Sequence, residues 1–472
     1  MIKTWLPSSK TLLYCVLTIS ISLRIILALA NKGYANDDHV TVSRLIVETG
    51  KIPEPQDCWQ CYQSKLYHFT VAKLWLLFDL KSDQARFKLA QLLSAFAGIL
   101  TILICWLAIK KQSFNDAVKL ICFSLVALNP KLISINAQTA NDSFVILFGT
   151  VVIYSLYQLM AKPTVKYFFI LILFSVLAAI TKTNGLVIII AVILVLIIKI
   201  LYTKNYKFPL RKGYLGGLLF FLFATTFCVG YFGEYYGKYK KYGKPVVFNT
   251  ATGELPHLFE KTNFRNPGVQ SVIGGYFTFR IIDLVKNPVI SNDEHVYPLH
   301  RTSLWSQLYG RANFIYFDNW PNGPWQSSDP YMMAFGRVAI ILALLPLAFL
   351  LCGLLMAFKA WFRLFFKKNN LFNTHDDWIF DIFNLGFAAF IIMFTGFGRD
   401  YSFMKVIYIF PGILAILFPL LKGCAHLHQY ALKNKLVARL FNVAIITLLL
   451  CYLIPVIDLI IKLPDSPGIS LY

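Results

Sequence analysis

The chain has 472 residues, 57% of them hydrophobic and only 14% charged, against about 25% charged in a soluble domain. Apolar runs of roughly 20 residues recur along it and read as membrane-spanning helices, which excludes a string of soluble domains. The net charge of +22 does not point to nucleic acid, because Lys and Arg gather at the ends of the apolar runs and not on a polar domain.

In chain order the apolar runs place spans at 11–30, 87–109, 117–136, 142–160, 166–181, 185–202, 214–233, 332–357, 378–396, 402–421 and 438–458. The first lacks a small-residue cleavage site and is read as an uncleaved span. Residues 66–78 are apolar but too short to cross, and Lys73 interrupts them, so they are expected as a helix at the interface. The expectation is an all-α polytopic membrane protein of about eleven spans, with two large extracytoplasmic loops bearing interfacial helices. Its parts are an N-terminal module over 1–233 that includes the first loop at 31–86, a loop region over 234–331, and a C-terminal module over 332–472.

Lys3 and Lys10 place the N-terminus in the cytoplasm. Alternation then puts Lys110-Lys111, Lys162 with Lys166, Lys204 to Lys212, Lys359 to Lys368 and Lys422 to Arg439 on the same side, as the positive-inside rule requires. Asp37, Asp38, Asp142, Lys182, Arg399, Asp400 and both long loops fall on the other side. Such loops are usually functional or separately folded. Six cysteines, including Cys105 and Cys451, lie inside apolar runs and read as inert. Cys58 and Cys61 form the only close pair. Two free thiols and a disulfide are both open for it, and no zinc-ligand spacing accompanies it.

The acidic pair Asp37-Asp38 follows the first span, inside Asn36-Asp37-Asp38-His39. Carboxylates at the hydrocarbon edge are costly unless solvated or given a task. One of the two can cap a helix over about 38–49 that Gly50 ends; capping does not account for both. Asn141-Asp142-Ser143 forms a second acidic edge, where capping of the fourth span is again the structural alternative. For Lys182, Arg399 and Lys405 the alternative is snorkelling to headgroups.

The order of first span, acidic pair with His39, Gly50-Lys51-Ile52-Pro53, then Lys65-Leu66-Tyr67-His68-Phe69 resembles the first outer loop of GT-C-type membrane glycosyltransferases. The nearest are the protein O-mannosyltransferase and aminoarabinose transferase superfamily. That family has Asp-Glu and a Pro-Pro-Leu-Tyr-like element where this chain has Asp37-Asp38 and Ser64-Lys65-Leu66-Tyr67. Leu128-Asn129-Pro130, Asn141-Asp142 and Thr181-Lys182-Thr183-Asn184-Gly185 continue the resemblance to about residue 190. Arg399-Asp400-Tyr401 with Lys405 and Tyr408 through Pro411 is similar to the family's late outer turn.

The resemblance implies sugar transfer, hexosyl or pentosyl, from a polyprenyl-phosphate donor (dolichyl or undecaprenyl) to a glycan, lipid or protein acceptor on the extracytoplasmic face. A bacterial inner membrane is expected over an endoplasmic reticulum. Asp37 is the first candidate for general base, followed by Asp38, with Asp142 sharing the site. Lys182, Arg399, Lys405 and Arg301 are candidates for the leaving phosphate, with Arg311 behind them. His39, Tyr67 and His68 are candidate substrate contacts. No cofactor is obligatory; Asp37, Asp38 and Asp142 would admit a divalent cation. The alternative from another class is a polytopic lipid or sugar transporter or flippase, which predicts inverted repeats and mid-membrane charges. The hydropathy pattern shows no two-fold symmetry.

Overall fold

A computed structural model describes residues 9–35, 37–202, 208–247, 272–289, 299–317, 329–367, 377–398 and 404–465. Among them there is no strand. In chain order the helices are α1 (Ser9–Ala30), α2 (Val40–Thr49), α3 (Leu66–Leu77), α4 (Asp83–Lys110), α5 (Asp116–Ala127), α6 (Pro130–Asn136), α7 (Asp142–Ala161), α8 (Val165–Thr181), α9 (Gly185–Tyr202), α10 (Phe208–Phe232) and α11 (Tyr235–Tyr242). They continue as α12 (Val272–Tyr276), α13 (Ile281–Lys286), α14 (Leu304–Asn313), α15 (Pro330–Leu342), α16 (Leu344–Lys367), α17 (Trp378–Gly398), α18 (Ile413–Ala431) and α19 (Lys435–Lys462).

The chain is an all-α polytopic membrane protein. Among the described residues eight helices are long and apolar enough to cross a membrane, or nine if the bent pair α5 and α6 forms one span. The eleven spans read from the sequence also count α8 and α9, which are apolar but shorter.

Two expected spans differ in detail, for the same reason. The run 117–136 is not one helix. It breaks at Leu128-Asn129 and bends by 46° between α5 and α6, because Pro130 has no N–H to give and disfavours helix in the residue before it. Asn129 caps α6 by accepting from Leu132 N. Apolar surroundings leave no water for the carbonyl freed at the break. The fully buried Arg24 of α1 supplies the donor, at 2.9 Å from Ala127 O, and its Nε reaches Asn136 Oδ1 at 2.9 Å.

Within the described part of the run 402–421, residues 404–412 likewise form no α-helix. Two short 3₁₀ turns, Val406–Tyr408 and Phe410–Gly412, precede α18, with Pro411 in the second. This irregular segment lies against α7 at Gly149, where a Cβ would stand 2.3 Å from Pro411 O. Only glycine leaves that space.

The interfacial helix expected over 66–78 is α3. Tyr67, Val71 and Trp75 are buried on one side, while Phe69, Leu76 and Leu77 are exposed on the other. Its Tyr67 hydroxyl reaches Ser94 Oγ on α4 at 3.2 Å. The described part of the second long loop is helical and tied down. Ser303 caps α14, Tyr276 Oη reaches Ile392 O on α17 at 3.1 Å, and Tyr316 Oη reaches Asp458 Oδ2 on α19 at 2.6 Å. The loop therefore covers one end of the bundle, which is the end where the acidic pair sits.

Candidate active site

The neighbouring carboxylates Asp37 and Asp38 are put to different uses. Asp38 accepts from Thr41 N at 3.1 Å and from Thr41 Oγ1 at 2.5 Å. It is the carboxylate that ties down the start of α2, and Gly50 closes the helix in the left-handed region at φ 67°. Asp37 is left to turn inward. Its Oδ2 lies 3.6 Å from Lys405 Nζ, at the head of the 3₁₀ segment before α18.

Asp142 does not cap α7. The cap position is Asn141, which makes no side-chain cap bond, and Asp142 Oδ1 instead pairs with Lys182 Nζ at 2.7 Å. Lys182 is held at the α8–α9 turn, where Gly185 is required because a Cβ would stand 2.3 Å from Ala178 O. The Lys182 ammonium also stands 5.5 Å from the centre of the Tyr408 ring.

These two ion pairs form one site. Burial first, and then the charges of Asp37 and Asp142, push the Tyr408 hydroxyl above its ordinary value. His39 likewise feels both carboxylates, although burial dominates and brings it down to about 4. Burial pushes the Asp37 carboxyl up, but Lys405, His39 and Lys182 outweigh it and hold Asp37 below the ordinary carboxylate value. Asp37 is thus an ionised carboxylate in a partly desolvated setting.

The remaining candidates separate. His39 Nδ1 and the buried His68 Nε2 meet at 3.0 Å, joining the start of α2 to α3 behind Asp37. Tyr67 packs its ring edge-on to His39, His68 and Phe144 and spends its hydroxyl on α4, so it braces this pair. Arg301 lies in the 3₁₀ turn Leu299–Thr302; no described contact joins it to Asp37 or Asp142. Arg311 of α14 is the loop cation whose charge reaches Tyr408. Arg399 lies outside the described residues, as does Asn36. Cys58 and Cys61 are disulfide-bonded.

Sequence reading passed over Tyr408, Tyr62, Gln63, Asn141 and Asn184 as site residues. Asn141 Nδ2 donates to Gln63 Oε1 at 2.5 Å, and Asn184 Nδ2 reaches Tyr408 O at 3.4 Å. The Oδ1 atoms of both asparagines are buried without a hydrogen-bond partner among the described residues. Buried amide oxygens are nearly always satisfied, by protein, water or ligand, so both oxygens are acceptors open to a further donor beside the ion pair. The available signal was their position beside Asp142 and Lys182. Among the described residues no three His, Cys, Asp or Glu side chains converge as a metal site.

Residues 72–229 match the model of the dolichyl-phosphate-mannose-protein mannosyltransferase family, a stretch running from α3 through most of α10. The resemblance to GT-C-type membrane glycosyltransferases therefore holds. No curated protein matches the chain. Among solved structures, the oligosaccharyltransferase AglB from Archaeoglobus fulgidus, in complex with an inhibitory peptide and a dolichol-phosphate, is similar at 12% identity and a TM-score of 0.47; the match covers 97% of this chain and 56% of that one. ArnT from Cupriavidus metallidurans is similar at 13% identity and a TM-score of 0.38, covering 89% of this chain and 78% of that one. ArnT bound to undecaprenyl phosphate gives 14% identity and a TM-score of 0.34, with 88% and 77% covered. This chain spans little more than half the length of AglB. No residue's role carries across at these identities.

Proposed function

We propose that the chain transfers a sugar from a polyprenyl-phosphate donor to an acceptor hydroxyl on the extracytoplasmic face of a bacterial plasma membrane, with Asp37 as general base. The observation that carries this reading is the meeting of the Asp37–Lys405 and Asp142–Lys182 pairs around Tyr408. A transfer of this kind needs an ionised carboxylate for the acceptor proton and fixed cations for a departing phosphate. The site holds both within one constellation. AglB and ArnT, whose structures carry dolichol-phosphate and undecaprenyl phosphate, are consistent with the donor class.

In the proposed step the acceptor oxygen forms a bond to the sugar's anomeric carbon while the bond from that carbon to the phosphate oxygen breaks. The acceptor proton passes to Asp37, and the electron pair leaves on the polyprenyl phosphate. Lys405, Lys182 and Arg311 face the phosphate charge as it develops. Asn141 and Asn184 offer their free amide oxygens to sugar or acceptor hydroxyls. The step runs without a divalent cation, because each inward carboxylate already faces an ammonium group, a donor set that opposes a second cation there.

The test is transfer of radiolabelled sugar from synthetic polyprenyl-phosphate donors by membranes carrying wild type, Asp37→Asn or Asp38→Asn. Asp37→Asn is expected to lower turnover by about 10²–10⁴-fold, the usual contribution of a positioned base. Asp38→Asn is expected to keep most of it. Equal turnover by wild type and Asp37→Asn would remove Asp37 from the role.

A further inference from the structure

The joint between α10 and α11 carries a feature that sugar transfer does not use. Phe223, Phe227 and Tyr231 lie four residues apart on α10 and stack at 6.3 and 6.5 Å between ring centres. Their exposures are 70%, 62% and 71%, as expected of a lipid-facing stripe on a span. The chain then turns at Gly233 and Glu234. Glu234 adopts φ 64°, a left-handed conformation that is unfavourable for a residue with a side chain and persists only when its surroundings hold it. Here Lys238 at 3.4 Å and Lys65 at 3.8 Å hold the Glu234 carboxylate.

That turn fixes which face of α11 is inward. Tyr235 and Lys238 are buried: Tyr235 Oη donates to Ala179 O at 3.0 Å and Lys238 Nζ to Tyr62 O at 2.9 Å. The outward face presents Tyr236 and Tyr239, 56% and 58% exposed, together with Lys240 and the nearby exposed Lys244. Lys240 stands 4.7 Å from the centre of the Tyr236 ring. Lys241 is paired with Glu54 at 3.1 Å. Among the described residues no carboxylate pairs with Lys240 or Lys244. The face therefore combines exposed aromatic rings with uncompensated cations, and it continues a lipid-facing stripe at the end of a span.

We infer that the outward face of α11 is a docking surface for the headgroups of anionic phospholipids in the leaflet at the site end of the bundle. Aromatic rings suit the headgroup region, and each lysine near an anionic surface contributes about 1 kcal/mol. On the opposite, inward side Lys238 together with Lys65 holds the backbone of residues 61–63.

The test uses the full chain in nanodiscs of phosphatidylcholine alone or with phosphatidylglycerol, at matched ionic strength. Hydrogen exchange is read by mass spectrometry on the peptide spanning 235–244, so binding of anionic lipid elsewhere on this cationic protein does not enter. Wild type is expected to exchange about five-fold more slowly per lysine engaged in the anionic discs. The difference is expected to vanish in Lys240→Gln/Lys244→Gln and at high salt, and to survive in Lys240→Arg/Lys244→Arg. Equal exchange in both discs would overturn the inference. Protection produced in phosphatidylcholine discs only by an added anionic oligosaccharide would also overturn it, and would give the face to a saccharide acceptor. Neither result depends on whether the chain transfers sugar.

Discussion

At the site end of the bundle Lys182 meets Asp142 at 2.7 Å, with 10% and 4% of their side chains exposed. At the opposite end Lys422 meets Asp377 at 3.2 Å, with 25% and 30% exposed, and Lys111 reaches outward to Tyr154 and Gln158. In the sequence these lysines look alike, since each lies at or near the edge of an apolar run. The difference is what surrounds them. The far-end pairs are part solvated and keep the charged edge of the bundle in the headgroup region. The Asp142–Lys182 pair is folded inward, where desolvating a charge is costly, while the neighbouring Lys405–Asp37 pair keeps 20% and 26% of its side chains exposed.

The comparison can be broken most sharply by removing one lysine at each end. Lys182→Met is expected to destabilise the protein by about 3–5 kcal/mol, because it strands the buried Asp142 carboxylate. Lys422→Met is expected to cost no more than about 1 kcal/mol. Thermal unfolding in detergent micelles measures both, and similar losses would show that the two ends do not differ.

Stability against pH sharpens it next. His39 falls from an ordinary 6.5 to about 4 because it is buried, and burial lowers His68 as well. A depressed folded value means the unfolded chain takes up the proton first. The contribution is therefore complete above pH 6.5 and is lost as pH falls towards about 4, amounting to about 3 kcal/mol for His39. His39→Gln should flatten the unfolding temperature of the protein across that window. An unchanged slope would place the histidine in solvent.

The smallest expected effect concerns Asp37. With Lys405 replaced by Gln, burial is opposed only by His39 and Lys182, so the Asp37 carboxyl moves up. The acid limb of the pH–rate profile for the proposed sugar transfer should then shift to higher pH. A limb that stays in place would mean Lys405 does not act on the base.

Much of this architecture was legible along the chain. Apolar length, the placement of Lys and Arg, the interfacial α3 and the acidic pair after α1 are local properties, and solvation by hydrocarbon acts on them locally. The α5–α6 break was half legible: Pro130 announces an interruption, but its repair by Arg24 depends on a helix far back in the chain. The division of labour between Asp37 and Asp38 was stated as a choice, and Thr41 decided it.

The sequence alone determined a polytopic helical membrane protein and put Asp37, Asp142, Lys182 and Lys405 forward as candidates, because burial and charge asymmetry leave their mark residue by residue. Only the tertiary structure decided that Asp142 faces Lys182, that Asp37 faces Lys405 across most of the chain's length, and that Tyr408 joins the two pairs. Those pairings depend on how closely α7, the α8–α9 turn and the segment before α18 approach, and that approach is set by Gly149, Gly185 and packing between helices distant in sequence.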